Sequence, residues 1–273
     1  MSVKNFDPVI WSAHVQRSLR ADHTLVKGCN RAVEGELQHG ARLKILTFGA
    51  PTVKKYTGGV IADPEEIKDA AVYLDIDQGE YVHAFVENVD EALANKKHDI
   101  MAAVMDEIKE KLLLTHESFV GKLATKAKNK MAAVTVSSED DAVNALLSAT
   151  LALRKMNVPQ GTKIYADVPW SFYQKIWLKT VKLDTDNTER MENGVTGRFN
   201  DVLLRPTNNL YNDGTNDYIM VRTKNAIAFA EAVKTMKAYE PEKAFSDAIK
   251  ALTVFGGNII RQNEIVVLPV KAA

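Results

Sequence analysis

The sequence predicts an α+β protein, with its strands and helices grouped rather than strictly alternating. Three observations carry this. Residues 42–49 and 70–89 follow a period of two, residues 98–123 follow the helical period without a break, and a compact stretch of short strands and helices at 131–178 is followed by strands alone at 199–206, 217–223 and 248–270. A chain of 273 residues is long enough for one large domain or two modest ones around a real apolar core.

The elements follow in order. Residues 8–27 read as an amphipathic helix, with Val9, Ile10, Ala13, Leu19 and Val26 set among Arg17, Arg20, Asp22 and Lys27, and with Pro8 suited to the first turn. RLKILTFG (42–49) alternates polar with apolar residues, and PTVKKYTGG (51–59) extends that strand to a glycine pair. IADPEEIKD (61–69) is a polar loop, and AAVYLDIDQGEYVHAFVENV (70–89) returns as one long strand. The pair makes a projecting hairpin. An isolated two-stranded hairpin is marginal in water, so this one needs a surface to lie on.

A helix from about Asp90 to Lys128 comes next, strongest over 98–123, where Ile100, Met101, Val104, Met105, Ile108, Leu112 and Phe119 share one face. About 26 residues at 1.5 Å each span roughly 39 Å, the length of a structural spine. MAAVTV (131–136) is a strand. Ser138 then caps a helix that ends before Val158-Pro159, with Asp141 at the third position. TKIYADV (162–168) is a strand, PWSFYQKIWL (169–178) a short aromatic helix, and DTDNTERMENGVTG (184–197) a polar loop. Strands follow at 199–206 and 217–223. Residues 248–270 read as strands around Gly256-Gly257, a pair suited to a turn or bulge.

Composition excludes several classes. Lys+Arg and Asp+Glu both number 35, so there is no basic excess of the kind that grips nucleic acid through phosphates. A net charge of zero also weakens mutual repulsion between copies, which permits association. The single cysteine, Cys29, allows no internal disulfide. The N-terminal residues lack a signal-peptide core, and no stretch reaches the roughly 18 apolar residues of a membrane span, so a soluble protein made inside the cell is expected.

Local motifs for chemistry are missing. Asp75, Asp77 and Gly79 in LDIDQGEY imitate the start of a calcium loop. That loop requires glycine at its sixth position and glutamate at its twelfth, where this chain has Glu80 and Val86. The loop from Asp184 and Asp186 fails in the same way, with Glu189 and Val195 at those positions. The histidines show no metal-binding spacing, and there is no nucleophile elbow, phosphate loop or dinucleotide fingerprint. Trp170, Tyr173 and Trp177 repeat at helical spacing, which reads more simply as a packed face than as a ligand platform. Neither catalytic residues, cofactor nor metal are expected. Strand alternation instead puts Asp75 and Asp77 on one polar face, where they can meet Arg42, Lys44, Lys54 or Lys55 across the hairpin or on a neighbour.

Four segments, in this order, are similar to the major capsid proteins of tailed bacteriophages with the Hong Kong 97-type fold, in the podovirus coat-protein-like branch. FDPVIWSAHVQRSL resembles the family's opening, NRAVEGELQHGARLKILTFGAPTVKKYTGG its extended loop, LDIDQGEYVHAFVENVDEALAN the return into its spine helix, and KAYEPEKAFSDAIKALTVFGGNIIRQNEIVVLPV its C-terminal strands. The resemblance implies an N-terminal arm at 1–35, an E-loop hairpin at 36–88, a peripheral domain with the spine helix at 89–131, an axial domain at 132–235, and the peripheral domain's C-terminal strands at 236–273. It implies a non-enzymatic protein that self-assembles, as pentamers and hexamers, into an icosahedral shell around double-stranded DNA without sequence-specific binding. The shell would be the virion capsid, assembled in the host cytoplasm and with no membrane.

Inter-subunit contacts are then expected from Trp11, Arg42, Lys44, Lys54, Lys55, Tyr56, Asp75 and Asp77. The chain starts almost directly at the arm, leaving no room for an N-terminal scaffolding domain of about 100 residues. A separate scaffolding protein, a portal and a cement protein are the expected partners. Some relatives cross-link a hairpin lysine to an asparagine on a neighbour; for Lys54 and Lys55 ordinary solvation is expected instead. Two alternatives are an encapsulin-type nanocompartment shell and a soluble enzyme with a metal at Asp75/Asp77.

Overall fold

The computed structural model describes residues 23–32, 42–48, 69–87, 97–182, 202–242 and 246–272, together with 52, 53, 55, 56, 58, 198 and 199. In chain order the elements are α1 (Thr24–Lys27), β1 (Arg42–Phe48), β2 (Asp69–Asp75), β3 (Gln78–Glu87) and α2 (Lys97–Lys122). Next come β4 (Val134–Val136), α3 (Glu139–Lys155), β5 (Ile164–Val168) and α4 (Trp170–Lys182). The chain closes with β6 (Arg198–Phe199), β7 (Val202–Pro206), β8 (Asp217–Arg222), β9 (Ile227–Tyr239), β10 (Ser246–Ile259) and β11 (Ile265–Ala272).

These strands form three sheets. The largest is a mixed six-stranded sheet in the order β4-β11-β8-β5-β7-β6, in which β4/β11 and β5/β7 run parallel. One of its faces packs on α3 and α4 through Leu146, Leu153, Phe172, Ile176, Ile219, Val221 and Leu268. Its other face, with Met220 and Val267, packs on α1 and the C-terminal end of α2 through Leu25, Val120 and Leu123. With both faces covered, β8 reads Ile219, Met220, Val221 without alternation. The capping box at Ser138 and Asp141 forms as its residues predict. Asn157, at φ 64°, supplies the left-handed residue that closes α3 before Val158-Pro159.

A three-stranded antiparallel sheet, β3-β10-β9, lies on the long helix. Val82, Ala84, Ile249 and Ala251 meet Val104, Met105, Ile108 and Leu112 of α2, so from 104 to 112 the helical face seen in the sequence is the one that packs on this sheet. The third sheet is the β1–β2 hairpin, with Arg42 opposite Asp75 and Phe48 opposite Asp69. Leu43, Ile45, Leu74 and Ile76 at its base pack on Ala228 and Ala230 of β9 and Val254 of β10.

Three readings change. The long strand at 70–89 is two strands belonging to different sheets, with the change of partner at Ile76-Asp77. The cause lies across the interface: the chain passes directly over Gly256, where any Cβ would collide with the Asp75 carbonyl oxygen and the Ile76 backbone. Of the turn or bulge read at Gly256-Gly257, the structure has the irregularity of a bulge: the pair sits inside β10, just past a register shift between Val254 and Phe255. The first strand stops at Phe48, and the described positions 52, 53, 55, 56 and 58 are not strand. Finally, β9 has no counterpart among the strands read from the sequence. Its alanines at 228 and 230 weaken the β signal, and pairing with β10 along Ile227–Tyr239 overrides that weakness. Of the N-terminal helix at 8–27, residues 8–22 lie outside the described residues, as does the loop at 184–197.

Candidate assembly surface

The residues singled out on the hairpin are only partly brought together. Arg42 and Asp75 are register partners and form an ion pair, with Arg42 Nη2 donating to Asp75 Oδ2 at 3.3 Å. The Arg42 guanidinium also stands 5.0 Å over the ring of Tyr73. Its hydrogen bond holds the Asp75 carboxyl below the usual carboxylate range. Asp75 is thus taken up by its own hairpin and is not left for an ion. Lys44 is exposed opposite Tyr73, and Asp77 is exposed with its carboxylate accepting from Gln78 Nε2 at 2.9 Å. Lys55 and Tyr56 are exposed, whereas Trp11 and Lys54 lie outside the described residues. The alternation itself is as read: Leu74 and Ile76 are buried, while Tyr73 and Asp77 face solvent. No group of three His, Cys, Asp or Glu side chains placed to hold a metal occurs among the described residues.

A second surface lies on the face of the three-stranded sheet turned away from α2. Register aligns Tyr81, Leu252 and Thr235 in one cross-strand row, His83, Lys250 and Lys237 in the next, and Phe85, Ala248 and Tyr239 in the third. Tyr81 is 77% exposed and Phe85 69%, well beyond what a large aromatic side chain shows when its own fold covers it. Between the rows runs an open groove of about 510 Å³. His83 Nε2 and the Tyr239 hydroxyl are 2.7 Å apart, and Lys250 Nζ lies 4.9 Å over the Tyr239 ring. Aromatic walls with two lysines suit a protein partner carrying apolar and acidic side chains. The sequence reading missed this face. Its signal was present in the alternation of Tyr81, His83 and Phe85.

The N-terminal turn is clasped by buried charge. Both Glu117 carboxylate oxygens accept from backbone N–H groups of α1, Leu25 at 2.9 Å and Val26 at 2.8 Å. From the opposite side Arg222, fully buried, donates to the carbonyls of Gly28 at 2.6 Å and Leu25 at 3.1 Å. Asp167 neutralises it through a 2.9 Å bond from Arg222 Nε. Arg205 Nη2 stands 2.6 Å from the other Asp167 oxygen, an ion pair by distance whose angle falls short of a hydrogen bond. A Cβ at Gly28 would enter the space of the Arg205 guanidinium, so a side chain there would have to move Arg205. Its one thiol, Cys29, is buried, donates to the Leu25 carbonyl at 3.2 Å and is pushed up in pKa by that burial, so the arrangement fixes one short turn against the body.

The aromatic helix is only partly as read: Tyr173 packs on the core as expected, and the two tryptophans do not. Phe172 and Ile176 face the core, and Trp170 and Trp177 face out at 49% and 48% exposure, so the 170/177 spacing marks the outer face.

No protein-family model matches the chain, and no curated protein sequence is similar to it. Solved structures do match. A structure from Mycobacterium phage Che8 is 25% identical, covers 98% of this chain and 98% of its own, and superposes with a TM-score of 0.79. The capsid of cyanophage P-SCSP1u is 15% identical over 96% of this chain and 92% of its own, with a TM-score of 0.78. A virus-like particle from Pyrococcus furiosus follows at 18% identity, 89% and 95% coverage and a TM-score of 0.54. The described residues of the chain have the α+β fold of phage capsid subunits.

Proposed function

We propose that this chain is the major capsid protein of a tailed phage, a structural subunit that closes with many copies of itself into the icosahedral shell of the virion. The end-to-end fold match to phage capsid subunits carries the proposal, because fold alone would leave function open if it covered only one domain. The encapsulin alternative is less well supported: the virus-like particle from Pyrococcus furiosus superposes at 0.54 against 0.78 for the cyanophage P-SCSP1u capsid.

In this account the chain divides as its resemblance implies. Residues 1–35 are the N-terminal arm, and 36–88 the E-loop of the Hong Kong 97-type fold, with β1–β2 as its projecting part and β3 as its root. Residues 89–131 and 236–273 build the peripheral domain, and 132–235 the axial domain, with β9 crossing from one to the other. The hairpin of one copy lies over its neighbour. The aromatic groove beside Tyr81, Phe85 and Leu252 is the kind of surface that such a contact covers. Symmetry then multiplies contacts that are individually modest. The even balance of charge fits a wall that encloses DNA without reading it. A separate scaffolding protein, a portal and a cement protein would act with it in the host cytoplasm.

Sedimentation of the purified chain tests this. Particles in the megadalton range are expected, alone or with a co-expressed scaffolding protein. A chain that stays monomeric or dimeric under both conditions refutes the proposal.

A further inference from the structure

The helices α3 and α4 lie side by side over the six-stranded sheet, and their outward face carries almost no charge. From Ala142 to Leu153 there is no charged residue, in a chain whose charged content is 26%. On that stretch Asn144, Leu147, Ser148 and Leu151 fall at helical spacing and are exposed, with Leu147 at 40% and Leu151 at 56%. On α4 the outward positions include Trp170, Gln174, Trp177 and Leu178, and Leu178 is 37% exposed. Lys155, one turn past Leu151, is an exposed charge at the end of the patch, and two other charges nearby are engaged. Lys179 pairs with Asp140 at 2.7 Å at one rim, and Lys175 donates to the Val136 carbonyl at 2.5 Å.

Large side chains half out of water on two adjacent helices are costly unless something covers them. Taking about 200 Å² for each fully exposed side chain, the five apolar groups present on the order of 450 Å² of apolar surface. One side of a standard protein interface is about 800 Å², a little over half of it apolar, which matches. An uncharged patch of this size imposes no electrostatic barrier against a like chain.

We infer that the α3–α4 face is a contact surface for a second copy of this chain, buried when copies assemble. The inference rests on the shell reading and adds a location to it. A partner of different chemistry would leave the shell contacts untouched, and the test separates the two.

Leu151→Glu and Trp177→Glu are read by sedimentation and electron microscopy, with circular dichroism and thermal unfolding of the soluble subunit as folding controls. Both positions are half exposed, so the subunits fold with wild-type melting, while the assembled fraction falls at least about tenfold, the equivalent of about 1.4 kcal/mol. Leu151→Gln, which adds no charge, gives a smaller loss and serves if either glutamate variant misfolds. Trp177→Phe assembles normally. Wild-type yield of shells from the glutamate variants overturns the inference while leaving the shell reading intact. If wild type itself forms no shell, that reading falls. The patch is then judged on the small oligomer of wild type, which the glutamate variants must dissolve; a strictly monomeric wild type overturns the patch as well.

Discussion

At the scale of residues, Arg222 and Asp167 decide how the N-terminal turn is held. Both are fully buried, so each would be costly without the other and without the carbonyls of Leu25 and Gly28. Glu117 is the complementary group. Burial pushes its carboxyl above the ordinary value of 4.5, and the N–H groups of Val26 and Leu25 oppose that only in part. The sign follows directly. The folded state binds a proton that the unfolded state has released, so stability falls as pH rises from about 4.5 through the folded value, and the full cost is present above it. Urea denaturation of the soluble subunit across this window should show that decline, and Glu117→Gln should flatten it. An unchanged slope in the variant would assign the pH dependence elsewhere.

At the scale of elements, the hairpin changes what LDIDQGEY means. Its alternation was legible, and so was the pairing of a basic first strand with an acidic second one. The change of sheet at Ile76-Asp77 was not, because it depends on a glycine 181 positions later that lets two backbones cross. For the same reason β9 escaped notice: its alanines become strand only through the partner that β10 provides. The outward face of α4 was misread because Phe172 and Ile176, not Trp170 and Trp177, fill the space over the sheet. The long helix and the Ser138 capping box were plain in the sequence, since both are written in local periodicity and spacing. The hairpin yields its own prediction. Asp75→Arg sets two arginines opposite each other in the ladder and impairs assembly more than subunit folding. Adding Arg42→Asp restores the pair and the assembly, read as shell yield in a gradient. Equal defects in the single and double variants would mean that Asp75 acts on a neighbouring copy instead.

At the scale of the whole molecule, surfaces matter more than cavities. The core of the six-stranded sheet is closed on both faces, yet large apolar groups stand exposed on the outer face of β3-β10-β9 and on the face of α3 and α4. A subunit built this way has a closed core and an incomplete surface, which the symmetric association proposed for it would complete. The composition hinted at this through its zero net charge, but which faces remain open is set by packing that no local pattern records. The central claim is closure into a shell with the hairpin of each copy reaching its neighbour. Cryo-electron microscopy of the purified particles tests it most directly. An icosahedral shell in which β1–β2 lies over the adjacent subunit is the expected result. A small discrete oligomer, or a shell whose hairpins fold back on their own subunits, would contradict it.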